Sequence, residues 1–246
     1  MVTAVKFPDP QFKKMVIEIK KLWRWIYRYS QITKAWLLGD QHWNTNYLLS
    51  GNYQNDQRSS SGIGSSMKQT IAIRKEIPKI IIKYSIKSII DAPCGDINWL
   101  STINLGIEQY IGLDISGIVI KRNERYKKNS LPIKQVSFMR VDLRKDNCPM
   151  ADLIICRDLL VHLSLDDCIK VIKNFADSGS KYLLLTNFLN VDQNIDIITG
   201  SWRPLNMELK LFFFTKPLDV ILECREEHNI AKQMCLYSIE ELTLRP

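Results

Sequence analysis

The stretch Ile86-Lys87-Ser88-Ile89-Ile90-Asp91-Ala92-Pro93-Cys94-Gly95-Asp96-Ile97-Asn98-Trp99 decides the fold. An apolar, β-branched run, Ile86 to Ile90, ends abruptly in Asp91. Pro93-Cys94-Gly95-Asp96 reads as a tight turn, and the apolar residues behind it predict a helix near 96–104. Buried strand, turn and helix form the opening unit of a nucleotide-binding α/β sheet. In such sheets ligands sit outside the carboxyl ends of the strands, where the strand order reverses.

The rest of the chain adds to this unit. Apolar runs predict strands at 109–114, 136–142, 151–156 and 181–187, with helices near 116–129 and 165–177 between them. Residues 219–224 and 233–238 read as an antiparallel pair. Alternating strands and helices imply a Rossmann-like α/β fold: seven strands, mostly parallel, helices on both faces and an antiparallel last strand. Upstream, 67–84 reads as an amphipathic helix interrupted by Pro78. The polar Gly/Ser stretch 50–66 reads equally as a linker or as a lid. Residues 10–29 carry an apolar stripe (Phe12, Met15, Val16, Ile19, Leu22, Trp23, Ile26) opposite a basic face, so residues 1–60 are expected to form an N-terminal helical extension to a domain spanning 61–246.

The 246 residues suffice for one large domain, and the formal charge of +8 points to acidic partners: a nucleic acid, an anionic membrane surface or an acidic glycan. Much of that excess lies early, since residues 1–40 hold eight Lys/Arg against three acids. The six cysteines show no CxxC pair and no metal-ligand spacing with the three histidines, so no metal is expected and the reading is a reducing, cytoplasmic compartment. The opening residues read as no signal peptide, and no apolar run reaches the length of a membrane span.

Chemistry is read from the strand ends. Asp91, Asp114, Asp142 and Asp158 all fall at or just past them. Asp91 and Asp114 are one strand–helix–strand step apart, so both are expected to face one crevice. An acid ending the second strand accepts hydrogen bonds from ribose hydroxyls, and Asp142 on the third is placed to face an adenine amino group. The first turn retains only Gly95 of a three-glycine phosphate fingerprint, which argues against NAD or FAD and for a cofactor with ribose and adenine but no phosphate.

These residues resemble class I S-adenosylmethionine (SAM) methyltransferases over roughly residues 60–240. Asp91-Ala92-Pro93-Cys94-Gly95-Asp96 is similar to that family's first motif, which cradles the methionine part of the cofactor. Gly112-Leu113-Asp114-Ile115-Ser116 is similar to the second, with Asp114 on the ribose, and Val141-Asp142-Leu143 to the third, beside the adenine. Ala151 to Asp158, with Val161-His162-Leu163, resembles the fourth strand and the segment after it. The resemblance implies SAM as cofactor and S-adenosylhomocysteine (SAH) as product, with Trp99, Ile115, Leu143 and Arg157 as further cofactor contacts. Two glycines of the usual first motif are replaced. A narrower resemblance is to bacterial and viral methyltransferases with an Asp-Ala-Pro-Cys-Gly-Asp turn, an upstream Ser-Gly-x-Gly-Ser loop (Ser61 to Ser65) and a downstream Gly-x-Trp-Arg-Pro-Leu-Asn stretch (Gly200 to Asn206), some of them modifiers of glycans or nucleotide sugars.

Methyl transfer requires alignment of the acceptor and, for a hydroxyl, removal of its proton. Arg157, Asp158 and His162 are the catalytic candidates. His162 has the most suitable ordinary pKa for a base, and it shares a face with Asp158 if that segment is helical. Thr186, Asn187, Trp202, Arg203 and Asn206 are the substrate-side expectations. The expected activity is O-methylation of a sugar, glycan or other small hydroxyl acceptor. The competing readings are an RNA methyltransferase, favoured by the charge, and a non-catalytic scaffold on the same fold. Cys94 follows the first strand rather than the fourth, so it is read as a turn residue and not as the nucleophile of an RNA cytosine-5 methyltransferase.

Overall fold

The computed structural model describes residues 59–126, 128–223 and 231–242, together with Glu18 and Trp43. The expected helix over 10–29, and almost all of the expected extension 1–60, lie outside the described residues.

Among the described residues, seven strands form one sheet: β1 (Ser88–Asp91), β2 (Gln109–Asp114), β3 (Gln135–Arg140), β4 (Leu153–Cys156), β5 (Tyr182–Phe188), β6 (Asp219–Leu222) and β7 (Lys232–Ser238). Their order across the sheet is β3-β2-β1-β4-β5-β7-β6. The pairs β1–β2, β1–β4, β2–β3 and β4–β5 are parallel, whereas β7 runs antiparallel to both β5 and β6. The architecture is the expected one. Strand order reverses between β1 and β4, which places a crevice at the carboxyl ends of those two strands.

Both faces of the sheet are covered, which is why β1, β2 and β4 read as nearly unbroken apolar runs rather than alternating ones. On one face α1 (Ile71–Lys83) buries Ile73, Ile77, Ile80 and Ile81, and α2 (Gly117–Tyr126) buries Ile120. The other face receives α3 (Leu165–Asp177) through Val171, Ile172 and Phe175. Each such side chain contributes at most about 1.5–3 kcal/mol on burial. Helix α3 begins where Ser164 Oγ accepts the Asp167 N–H at 3.2 Å, with Asp166 and Asp167 complementing the helix dipole. Pro78 is accommodated inside α1. Gly112 is required in β2, because a Cβ there would lie 2.6 Å from the ring of Phe138 and 3.1 Å from Cys94 Cβ.

One expected element is corrected. No α-helix follows the first turn; residues 96–99 remain in turns, and Leu100–Thr102 make a single 3-10 turn. The reasons are local. Ile97 adopts φ of 44°, outside the right-handed helical region, and the Asp96 carboxylate accepts the Asn98 N–H at 3.2 Å, an Asx-type turn.

Candidate functional site

The turn after β1 is held from several sides. The Cys94 N–H donates to Leu113 C=O at 2.8 Å and the Ala92 N–H to Ile155 C=O at 2.8 Å, so the turn is stitched to β2 and to the end of β4. The Gly95 N–H donates to Asp114 Oδ2 at 3.1 Å, and Asn123 Nδ2 on α2 grips Gly95 C=O at 2.7 Å. Asn123 was not expected from the sequence; it reads there as one more polar residue on a basic helix.

Asp114 is a strand-end acid that borders the crevice with acceptor capacity left. Its other oxygen accepts the Ser116 N–H at 2.8 Å. Burial pushes its carboxyl up to about 6, while the two N–H groups pull the other way. A carboxylate has about four acceptor positions, so two remain for a ligand. Asp91 lies beneath the turn, where it accepts the Tyr110 hydroxyl at 2.8 Å, and burial raises it to about 7. The Cys94 thiol is also pushed up, by burial and by the two neighbouring aspartates, and remains neutral. That suits a turn residue and not a nucleophile.

Beside Asp114 opens a small, narrow cleft of about 40 Å³. Pro93, Ile115, Leu143, Leu159, Leu163 and Val171 are among its apolar walls, with Asp114, Asp142 and Arg144 as polar members. Of the residues expected at a cofactor, Pro93, Asp114, Ile115, Asp142 and Leu143 thus line one cleft. Others do not. Ala92 and Trp99 are buried, Trp99 packed in the core with Ile97 and Leu100, so neither presents a face to the cleft. The expected adenine contact through the Asp142 carboxylate is also displaced. Arg144 donates to it through Nε at 2.7 Å and a terminal nitrogen at 2.8 Å, and these bonds with Lys145 hold its pKa below the ordinary value despite burial. A larger surface trough lies at the amino ends of β2 and β3, around Gln109, Lys134 and Gln135, on the edge away from these groups.

Of the Gly/Ser stretch, residues 59–66 are described, and Ser59 to Ser61 cover the turn. Asp96 accepts the hydroxyls of Ser59 (2.8 Å), Ser60 (2.8 Å) and Ser61 (3.1 Å) and the Ser60 N–H (2.7 Å), while its own N–H donates to Ser61 Oγ at 2.8 Å. Three residues beyond Ser61, Gly64 C=O accepts Arg157 at 2.9 Å, and a Cβ on Gly64 would stand 3.2 Å from Asp158 Oδ2.

Arg157 and Asp158 belong to a four-charge network. Arg157 donates to both oxygens of Glu223, at 3.3 and 2.6 Å, and stands 3.3 Å from Asp158. Lys232 donates to Asp158 at 2.7 Å and lies 3.3 Å from Glu223. Two cations and two anions balance, and the two cations hold Asp158 ionised far below the ordinary carboxyl range. Asp158 is thereby a poor base, and Arg157 faces protein rather than the cleft. Glu223 and Lys232 were not singled out from sequence. Glu223 ends an apolar run just as Asp91 and Asp114 do, so the same signal marked it.

Residues 158–162 are not a helix: Asp158 has φ of 57° and only Leu160–His162 make a 3-10 turn, so the helical pairing of Asp158 with His162 does not occur. The partly buried His162 ring places Nδ1 2.8 Å from Ser201 C=O, with Trp43 edge-on at 5.7 Å between centroids. Burial lowers its pKa, favouring the neutral imidazole.

The expected substrate-side residues divide. Thr186 is buried, its hydroxyl accepting the Asp158 N–H at 2.9 Å. Asn187 is buried with Oδ1 on the Met207 N–H at 2.8 Å, and Asn206 accepts the Glu208 N–H at 2.9 Å. Arg203 is buried with its donors on the carbonyls of Ile195 (3.0 Å), Leu160 (2.7 Å) and Leu163 (2.7 Å). These four serve the fold, contrary to the expectation of direct contact. Trp202 alone is exposed, its ring edge-to-face with Phe188.

No helix among the described residues is long and apolar enough to cross a membrane. No protein-family model matches the sequence, and no curated protein matches it. Solved structures do match. Magnesium protoporphyrin IX methyltransferase (ChlM) from Synechocystis PCC 6803 with bound SAM is similar at a TM-score of 0.55 and 12% identity, over 82% of this chain and 97% of that one. The same enzyme with bound SAH gives 0.50 and 12%, over 70% and 84%. The methyltransferase domain of bacterial CtHen1-CN gives 0.50 and 18%, over 69% and 99%. At such identities the likeness is one of architecture, and the architecture carried by the described residues is the Rossmann-like fold of the SAM-dependent methyltransferases.

Proposed function

We propose that the protein is a SAM-dependent methyltransferase acting on a hydroxyl of a sugar, glycan or other small acceptor. The observation that carries the reading is the cleft at the β1/β4 switch point, apolar along Ile115, Leu143, Leu159 and Leu163 and bordered by Asp114 with acceptor positions to spare. That donor set suits an uncharged nucleoside: apolar walls for a base and a carboxylate for ribose hydroxyls. Asp114 would hold the ribose, and the turn Pro93–Asp96 would bound the methionine end. SAM supplies a methyl group already activated by a positively charged sulfur. His162, neutral and bonded through Nδ1, offers Nε2 to the acceptor hydroxyl as general base. Arg157 and Asp158 act as positioning groups, through their hold on Gly64 and Thr186. Trp202, exposed one residue from Ser201, offers a flat apolar face to a pyranose.

A second reading, an RNA acceptor, draws on one observation. Lys121, Arg122 and Arg125 are exposed on α2, and Arg122 reaches Ser60 at 3.3 Å, so positive charge flanks the cover of the turn.

Calorimetry with SAM and SAH tests the cofactor. Transfer of a labelled methyl group from SAM to a panel of oligosaccharides, nucleotide sugars and RNA tests the acceptor. Micromolar cofactor binding with label in a sugar supports the first reading; label in RNA, with binding that weakens steeply in salt, supports the second. No binding at millimolar cofactor would leave a scaffold.

A further inference from the structure

The segment between β5 and β6 is zipped to the segment after β4. The Gly200 N–H donates to His162 C=O at 2.7 Å and the Arg203 N–H to Val161 C=O at 3.0 Å. Ser164 N–H reaches Thr199 Oγ1 at 2.9 Å, and Leu165 N–H reaches Asp196 Oδ1 at 2.7 Å. The centre of the zipper is the buried Arg203 guanidinium, which binds Leu160 and Leu163 on one side and Ile195 on the other. Between those clamped points sits His162, with Ser201 C=O against Nδ1.

A carbonyl oxygen can only accept. At 2.8 Å it requires a proton on Nδ1, and in a neutral ring the lone pair then sits on Nε2. We infer that Arg203 is a positioning residue whose clamp holds the Ser201 carbonyl on His162 Nδ1 and so fixes the Nε2-basic tautomer of that ring. A backbone carbonyl here does what a carboxylate does in a hydrolase triad: it orients the imidazole and selects its tautomer. The guanidinium suits the task because its fork reaches three carbonyls in fixed directions, which a lysine ammonium on a flexible stem does not. Burial of the ring supports the assignment by disfavouring the imidazolium.

This inference rests on the methyltransferase reading only for its catalytic consequence; the tautomer can be measured without it. The experiment is long-range ¹H–¹⁵N correlation on protein labelled at its three histidines, with His162 assigned by its loss in His162→Gln. The wild type should show the Nδ1–H tautomer, and Arg203→Lys should convert it to a mixture. A control of comparable destabilisation on the far edge of the sheet, Ile221→Ala, should lower the melting temperature and leave the His162 resonances in place. Once an acceptor is in hand, Arg203→Lys should lower kcat by about 10- to 100-fold with the Kd for SAM unchanged. An Nε2–H tautomer or a protonated ring in the wild type at pH 7 overturns the inference. So does a pure Nδ1–H signal in Arg203→Lys. Failure of SAM to bind while the tautomer shifts as described would refute the methyltransferase reading and leave the clamp standing.

Discussion

Replacing Asp114 by Asn separates what this carboxylate does for the fold from what it does for a ligand. Burial raises its pKa from 3.8 to about 6, so keeping it ionised at neutral pH costs about 3 kcal/mol. The folded state holds a proton that the unfolded chain has lost between about pH 4 and 6. The group's contribution to stability therefore declines as pH rises through that window and returns on acidification. Asn removes the charge and its burial cost. Its amide, however, has one oxygen for two N–H donors, those of Gly95 and Ser116, and turns its own N–H₂ toward the other. An unsatisfied buried donor costs about 1–3 kcal/mol. The two effects nearly cancel, so the melting temperature at pH 7 should move by only a few degrees. Cofactor affinity should not be spared. Losing a charged ribose acceptor removes about 1–3 kcal/mol, roughly a 5- to 150-fold rise in Kd. The pH profile makes the test sharper. Ionisation near 6 should raise wild-type affinity about tenfold between pH 5 and 7, while Asp114→Asn stays flat over that range. Calorimetry with SAM at several pH values decides it. A Kd within twofold of wild type in the variant, or a flat wild-type profile, refutes the role assigned to Asp114.

Three further predictions follow from the site and the core. His162→Ala should slow methyl transfer by about 10²–10⁴ with SAM affinity retained; a wild-type rate in a radiolabel assay removes it as base. Lys232→Met leaves Arg157 alone against Asp158 and Glu223 and should cost about 2–3 kcal/mol, read as a fall of about 5–10 °C in melting temperature, and adding Asp158→Asn should recover part of it. Gly112→Ala forces a methyl group onto the Phe138 ring and should destabilise by about 2–3 kcal/mol in urea unfolding, and a neutral effect would mean that β2 and β3 separate easily.

Legibility of the sequence followed the range of the interactions. Strands covered on both faces are apolar for several residues in a row, so Tyr110 to Asp114 and Leu153 to Cys156 announced themselves, and the helix near 165–177 falls between two such strands. The parallel order then followed from alternation. The missing helix after Gly95 was hidden because an isoleucine in the left-handed region carries no signal; the hydrogen bonds of Asp96 decide it, and their partners Ser59 to Ser61 lie over thirty residues away. Asp142 is the opposite case. Arg144 and Lys145 stood beside it in the chain, and a strand-end acid with two neighbouring cations is a group already paired. Arg203 reads as a substrate-side residue within the Gly200 to Asn206 stretch, whereas only the fold reveals that it is buried among carbonyls. The quartet around Arg157 joins positions more than sixty residues apart, a separation no local pattern records.

The turn from Asp91 to Asn98 is tethered by Ser59–Ser61 from one direction along the chain and by Asp114 and Asn123 from the other. A receptor so braced has little freedom to reshape itself around a guest. The entropy of ordering it is incurred when the chain folds, not when a ligand arrives. Under the proposed function, discrimination among nucleosides would rest on a rigid outline rather than on an adaptive step.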